Sequence, residues 1–426
     1  MRQMNARSPK PKYAFPNDFL WGTALSAHQV EGDQNNNWTD WEKEHASELA
    51  RGARKAFDNP SVHWYRIKDE AIDPANYISG RAADHYRHFE ADFALAKKLN
   101  HTAHRFSIEW SRVEPRRGDY NDAAIEHYRK VLVALRAKGI EPIVTLHHFT
   151  LPHWVQEQGG FSSARTIADF ARFAGKMASE YNEHVRWWCT VNEPELFSSF
   201  SYYFGLWPPQ DKSIFKASYA YYSVFVRAHK AAYRAIKHVN PRAMVGAAKN
   251  NSHYVAKDKL IAPFVKRFAD WWGNHAFYDR VRHECDFLGI NYYFRFNFKG
   301  FRAEMDQQNP SDLGWGLHAD GLYATLMDLH HRYRLPIMVT EAGVADSQDE
   351  VRAWYIKELL RNIHRAMQAG VDVRGFMYWA LLDNFEWDKG FWPKFGLIEV
   401  DRKTMKRTIR PSALEYAKII KAGGLD

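Results

Sequence analysis

The sequence predicts an α/β protein built as a single (β/α)8 barrel with long βα loops. Three observations carry that expectation. Eight short apolar or β-branched runs recur along the chain, each followed by polar or aromatic residues and then by a helical pattern. Runs such as PIVTL and IMVT are apolar on both faces, the pattern of parallel strands covered by helices. No GxGxxG or Walker A pattern follows any run, so a doubly wound nucleotide-binding sheet is only the second choice.

Taken in order, the chain opens on MRQMNARSPKPK, which is basic and lacks the apolar segment of a signal peptide. Residues 1–12 are expected to be a disordered tail and 13–426 the barrel. The runs start at residues 19, 101, 141, 185, 243, 286, 337 and 374. Each interval accommodates a strand, a crossover helix and loops. Phe89, Phe93, Ala96 and Leu99 mark one helix. Asn121 and Asp122 are good N-cap residues for a second, with Ile125, Tyr128, Leu132 and Leu135 at helical spacing and Gly139 as its stop. Val351, Tyr355, Leu359, Ile363 and Met367 form a third stripe, ended by Gly370. Such stripes read as core.

Composition narrows the function classes. In 426 residues, 15% aromatic and 46% hydrophobic content excludes a disordered chain, and two cysteines exclude a disulfide scaffold. Cys189 and Cys285 read as buried free thiols. No apolar stretch reaches 18 residues, so no membrane partner is expected and a cytoplasmic location is favoured. The net charge of +9 comes with neither a basic run nor a basic–aromatic module, which excludes nucleic acid as a partner and leaves the charge a surface property. His147, His148 and His153 make a poor metal set, because adjacent residues on a strand face opposite ways. No metal and no cofactor is expected, and the sequence fixes no oligomeric state.

In such a barrel the C-terminal strand ends line the site. Here those ends carry Gln29, Arg105, His148, Asn192, Glu193, Asn291, Tyr293, Glu341 and Trp379, the last leading toward Glu386 and Trp387. Glu193 and Glu341 end the fourth and seventh runs, which a barrel places across one mouth. Opposed carboxylates suit glycoside hydrolysis: one protonates the leaving oxygen, and the other attacks the sugar or activates water. A separation of ~5–5.5 Å would make the second a nucleophile and retain anomeric configuration.

Six motifs in order then resemble glycoside hydrolase family 1, the retaining β-glycosidases. They are FLWGTALSAHQVEG at 19–32, RFSIEWSRVEP at 105–115, TVNEP at 190–194, DFLGINYY at 286–293, TEAG at 340–343 and WALLDNFEWDKGFWPKFGL at 379–397. The resemblance runs from about residue 13 to about 420. It implies Glu193 as acid/base and Glu341 as nucleophile, with Arg105 and Tyr293 serving the nucleophile's carboxylate. It implies sugar contacts from Gln29, His148, Asn192, Glu386 and Trp387, a stacking floor at Trp379 and a side wall at Phe395. Asn291 belongs to the same set through DFLGINYY. The substrate it implies is a small β-glycoside or oligosaccharide. Two positions depart from the family pattern: Ala342 stands where Asn usually follows the nucleophile, and Phe149 where Trp usually follows His148. The stretch 195–210 is unusually aromatic and shapes either the leaving-group side or local packing. Alternatives are transglycosylation on the same site, a 6-phospho-β-glycosidase kept open by Lys389 and Lys394, and an inactive sugar-binding barrel.

Overall fold

The computed structural model describes residues 11–426. The expected tail therefore falls outside the described residues except for Pro11 and Lys12, which lead into a two-residue strand. Eight parallel strands close into the predicted (β/α)8 barrel: β1 (Leu20–Ala24), β2 (Ala103–Ser107), β3 (Glu141–His147), β4 (Trp187–Asn192), β5 (Met244–Ala256), β6 (Phe287–Lys299), β7 (Ile337–Ala342) and β8 (Val373–Trp379). Each falls on one of the eight runs, in order. Closure is made by β8 on β1, with Gly375 opposite Leu20 and Trp379 opposite Ala24. The walls are tight at glycines: a Cβ on Gly22 would lie 1.9 Å from the carbonyl oxygen of Ala103 on β2.

The outer layer is α1 (His85–Lys98), α2 (Asp122–Ala137), α3 (Arg165–Tyr181), α4 (Val226–Val239), α5 (Ala262–Asp270), α6 (Ala319–Tyr333), α7 (Arg352–Gln368) and α8 (Pro411–Ala422). The capping signals work as read. The Asn121 side chain accepts from the amides of Ala123 and Ala124 at the start of α2, satisfying donors the helix itself leaves open. Gly139 just beyond α2 takes a left-handed φ of +66°. The three apolar stripes are core: Phe93, Leu132, Leu135, Leu359 and Ile363 are all buried. Cys189 and Cys285 are buried and free.

The unusually long interval between the first two runs is filled by the helix Asn37–Phe57, whose N-cap Asn36 accepts from Trp38 and Thr39. One feature departs from the sequence reading. β5 and β6 run past the rim as a two-stranded ladder, through His253 opposite Arg295 to Ala256 opposite Phe298, and the strand Arg302–Met305 folds back on β6. The sequence-predicted strands ended at 250 and 293, where the apolar run gives way to alternating polar residues. Only the part inside the barrel is covered on both faces. At the opposite end, Tyr13–Ala14 pairs antiparallel with Gly424–Leu425. No helix among the described residues is long and apolar enough to cross a membrane.

Candidate active site

A cavity of about 260 Å³ opens at the C-terminal ends of the strands. Of the residues expected there, Gln29, His148, Asn192, Glu193, Tyr293, Glu341, Trp379, Glu386, Trp387 and Phe395 line it. Arg105 and Asn291 stand immediately behind, both fully buried. Backbone geometry presents Glu193. β4 ends at Asn192, Glu193 takes a left-handed φ of +43°, and Pro194 starts the short helix Pro194–Ser198. Strain of this kind in a non-glycine residue is held by its surroundings, here by the Glu193 amide donating to Ala248 on β5 (2.8 Å).

Strand alternation also separates the paired histidines as expected. His147 points outward among Phe161, Phe197 and Phe225, and burial pushes its imidazole down to about 3. His148 points inward and accepts from the Asn192 amide at 3.3 Å.

A hydrogen-bonded belt joins the two carboxylates. Arg105 donates to Glu341 Oε1 through Nη1 and to Asn192 Oδ1 through Nη2 (2.6 Å). Asn291 Nδ2 donates to Asn192 Oδ1 (3.0 Å) and to Glu193 Oε1 (2.7 Å), while its Oδ1 accepts from Thr340 (2.7 Å). Tyr293 donates its hydroxyl to the other Glu341 oxygen at 3.0 Å. Arg105 is anchored further by Thr145 (3.1 Å).

The electrostatics of the two acids differ for a visible reason. Burial raises both carboxyls. At Glu341 the Arg105 guanidinium and the Tyr293 hydroxyl oppose that effect. At Glu193 no cation among the described residues is hydrogen-bonded; after burial the largest effects are the charges of Glu341 and Glu195, which push further up, and Glu193 stands well above the usual carboxylate range. The pair therefore keeps its proton on Glu193 and its charge on Glu341.

At the inner end of the cavity, Glu386 Oε2 accepts from Asn384 (2.8 Å) and Gln29 (3.3 Å). Burial, assisted by Glu341 and Asp388, pushes Glu386 up to about 8. Trp387 stacks on His28 (5.6 Å, 6°), and His28 is fixed by Glu42 at 2.6 Å.

Several residues of the site lay outside the sequence reading. Glu195 accepts from the Asn250 amide (2.7 Å) and pairs with the fully buried Lys249 (3.2 Å) directly behind Glu193. Only its place two residues after Glu193 could have pointed to it. The outer wall is apolar, with Leu196, Phe200, Phe294, Met305 and Trp315. They come from the helical turns after β4, the β6 extension with its returning strand, and the loop at Trp315, all outside the barrel's strand and helix periodicity. The aromatic stretch 195–210 divides between cavity and packing: Phe200 and Trp207 line the cavity, whereas Phe197 and Tyr202 are core. Phe149, at a φ of +72°, packs its ring between Trp207 and Trp387 at 5.1 Å from each. Ala342 is fully buried beside Tyr378 of β8, so Glu341 is oriented by Arg105 and Tyr293 without an amide at that position. The one metal-type cluster among the described residues, Asp270, His275 and Asp328, lines no part of the cavity.

A closed barrel with two buried, differently charged carboxylates at its C-terminal mouth defines an O-glycosyl hydrolase. The chain belongs to glycosyl hydrolase family 1, whose sequence profile matches residues 11–265 and 264–425. It is 27% identical to a 1,4-beta-D-glucan glucohydrolase of Thermotoga neapolitana, over 96% of this chain and 99% of the relative. It is 27% identical to a beta-galactosidase of Sulfolobus acidocaldarius (97% and 96% covered). A chloroplastic galactolipid galactosyltransferase of Arabidopsis thaliana is 30% identical over 95% of this chain and 73% of its own length. Among solved structures, a beta-glycosidase from Pyrococcus horikoshii superposes with a TM-score of 0.83 at 31% identity, covering 98% of this chain and 96% of that one. A beta-glucosidase from Thermotoga maritima in complex with glucoimidazole superposes with a TM-score of 0.85 at 25% identity, covering 97% and 100%.

Proposed function

We propose that the protein is a retaining, exo-acting β-glycosidase that cleaves β-glucosides, β-galactosides or related β-linked sugars from the non-reducing end. The observation that carries this reading is the belt from Glu341 through Arg105, Asn192 and Asn291 to Glu193, in which the Arg105 guanidinium bonds the Glu341 carboxylate and not that of Glu193. The Glu341 carboxylate attacks the anomeric carbon, the bond from that carbon to the leaving oxygen breaks, and the Glu193 proton passes to that oxygen. The resulting ester removes the Glu341 charge, so Glu193, now ionised, becomes less basic and serves as base toward water. Water attacks the anomeric carbon, its proton goes to Glu193, and Glu341 is released as carboxylate. The reaction is complete with these groups and one water.

Gln29, His148, Asn192, Glu386 and Trp387 bind the ring hydroxyls, Trp379 is the floor under the ring, and Phe395 closes the side. The inner end is shut by Gln29 and Glu386, which supports attack at chain ends. A 6-phosphate fits this end poorly. Glu386 occupies it, Lys389 is held by Asp388 (2.5 Å), and Lys394 is held by Glu70 (2.8 Å). Transfer to an alcohol is the second reading, supported by the apolar outer wall and by a relative described as a galactosyltransferase.

The test is Glu341→Ala assayed on an aryl β-glucoside with azide. Turnover is lost, and azide restores product release as the glycosyl azide of inverted configuration, read by NMR. Native turnover in this variant would overturn the assignment.

A further inference from the structure

Most of the exposed large apolar side chains among the described residues lie on the helices and turns between β4 and β7, beside the cavity mouth. Leu260 and Phe301 are 81% exposed, Phe264 is 76%, Phe268 64% and Phe215 85%. Aromatic groups this open do not belong to a folding core, and a contiguous set marks an interaction surface.

The set is contiguous. The Lys257 amide donates to Phe298 O (2.8 Å) and the Gly300 amide to the Asp258 carboxylate (2.5 Å), which lays the start of α5 on the turn carrying Phe301. Leu260, Phe264 and Phe268 recur every four residues, along one face of α5 and the turn before it. Beyond Phe268, Trp272 stacks on Tyr222 (5.7 Å), and a groove lined by both and by Tyr219 leads to the helix Ile214–Tyr219 that bears Phe215.

Both arms of this rim reach the catalytic cavity. Phe204, half exposed, meets the cavity-lining Phe200 at 5.8 Å. On the other side Met305 lines the cavity four residues from Phe301, about 13 Å along an extended strand.

Charge decides what covers the rim. Lys257, Lys259, Arg267 and Lys299 are exposed among these apolar groups and form no ion pair among the described residues. Against these four cations stands Asp258, whose carboxylate accepts from the amides of Leu260, Ile261 and Ala262 and keeps its single negative charge, while Asp270 is paired with Lys266 (3.0 Å). The uncompensated charge is positive. A second copy would set lysine against lysine and shut the mouth. An anionic lipid surface takes aromatic side chains at headgroup depth and pairs the lysines.

We propose that this rim docks the protein peripherally on anionic phospholipid bilayers, turning the cavity mouth to the membrane and making lipid-anchored β-glycosides a substrate class. The substrate half rests on the glycosidase reading; the docking half does not. The proposal departs from the expectation of no membrane partner, which rested on the missing spanning segment and on reading the net charge as a general surface property.

The test is co-sedimentation of the full chain with vesicles of phosphatidylcholine and phosphatidylglycerol, and with phosphatidylcholine alone. Binding is expected to the anionic vesicles, to weaken with added salt, and to fall at least tenfold in Leu260→Ser/Phe264→Ser/Phe301→Ser. It should fall likewise in the charge variant Lys257→Glu/Lys259→Glu/Lys299→Glu. Both variants should hydrolyse a soluble aryl β-glucoside at the native rate, which also shows that they fold. Cleavage of a β-glucosyl lipid held in the vesicles should fall at least tenfold in both. Absence of native binding, or equal binding by both variants, overturns the docking. Equal cleavage of the lipid glycoside overturns the substrate class. A dimer by light scattering that the apolar triple variant abolishes assigns the rim to a second copy instead. Vesicle binding without cleavage of any glycoside would instead count against the glycosidase reading.

Discussion

Arg105 touches Glu341 and not Glu193, and that difference decides which carboxylate holds the proton. The rate therefore depends on pH through two opposite requirements. With the roles proposed above, activity should fall on acidification as Glu341 becomes protonated, and on alkalinisation as Glu193 loses its proton through its raised pKa, read as the two limbs of a pH–kcat/KM profile. Glu193→Ala should slow aryl glycosides with poor leaving groups by roughly 10²–10⁴-fold, the usual contribution of a positioned acid. Activated nitrophenyl substrates, which leave without a proton, should suffer far less, and their kcat/KM should lose its alkaline limb. Equal losses for both substrate types would contradict the acid role. Glu193 and Glu341 were visible in the sequence because each ends an apolar strand. Lys249 and Glu195 were not, since a buried ion pair needs two residues brought together by β4 and β5, and neither carries a local pattern.

At the scale of elements, the apolar runs located all eight strands because parallel strands covered on both faces leave an uninterrupted signal. The β5–β6 extension escaped because it leaves the barrel and alternates polar with apolar residues. α5 shows another limit of the same kind: the spacing of Leu260, Phe264 and Phe268 reveals an apolar face, while periodicity is silent on whether anything covers it. The contact between β7 and β8 sets the shape of the pocket floor. A Cβ on Gly343 would lie 1.9 Å from the carbonyl oxygen of Trp379, so the two strands approach closely just where Glu341 and Trp379 face the cavity. Gly343→Ala should cost about 1–3 kcal/mol of stability by overpacking. It should also lower kcat on an aryl glucoside. Unchanged denaturation midpoint and kcat together would show that the strands part without consequence.

For the whole molecule, the pairing of Tyr13–Ala14 with Gly424–Leu425 brings the two ends of the described chain together at the end of the barrel away from the mouth. Joining residue 426 to residue 11 through a short Gly/Ser linker, with new ends opened in an exposed loop such as 116–119, should give a folded and active enzyme. An insoluble or inactive permutant would mean that the order in which the ends are made matters. The site itself spans the molecule. Arg105, Asn192 and Asn291 come from β2, β4 and β6, alternate strands of the kind that supply one interior layer of such a barrel. The belt is therefore a course of the barrel's own masonry as well as the link between the two carboxylates. A change there would loosen the architecture and the chemistry together, while the loops above are free to drift. New sugars and new aglycones can be acquired by rewriting the outer wall, with the reacting centre inherited intact.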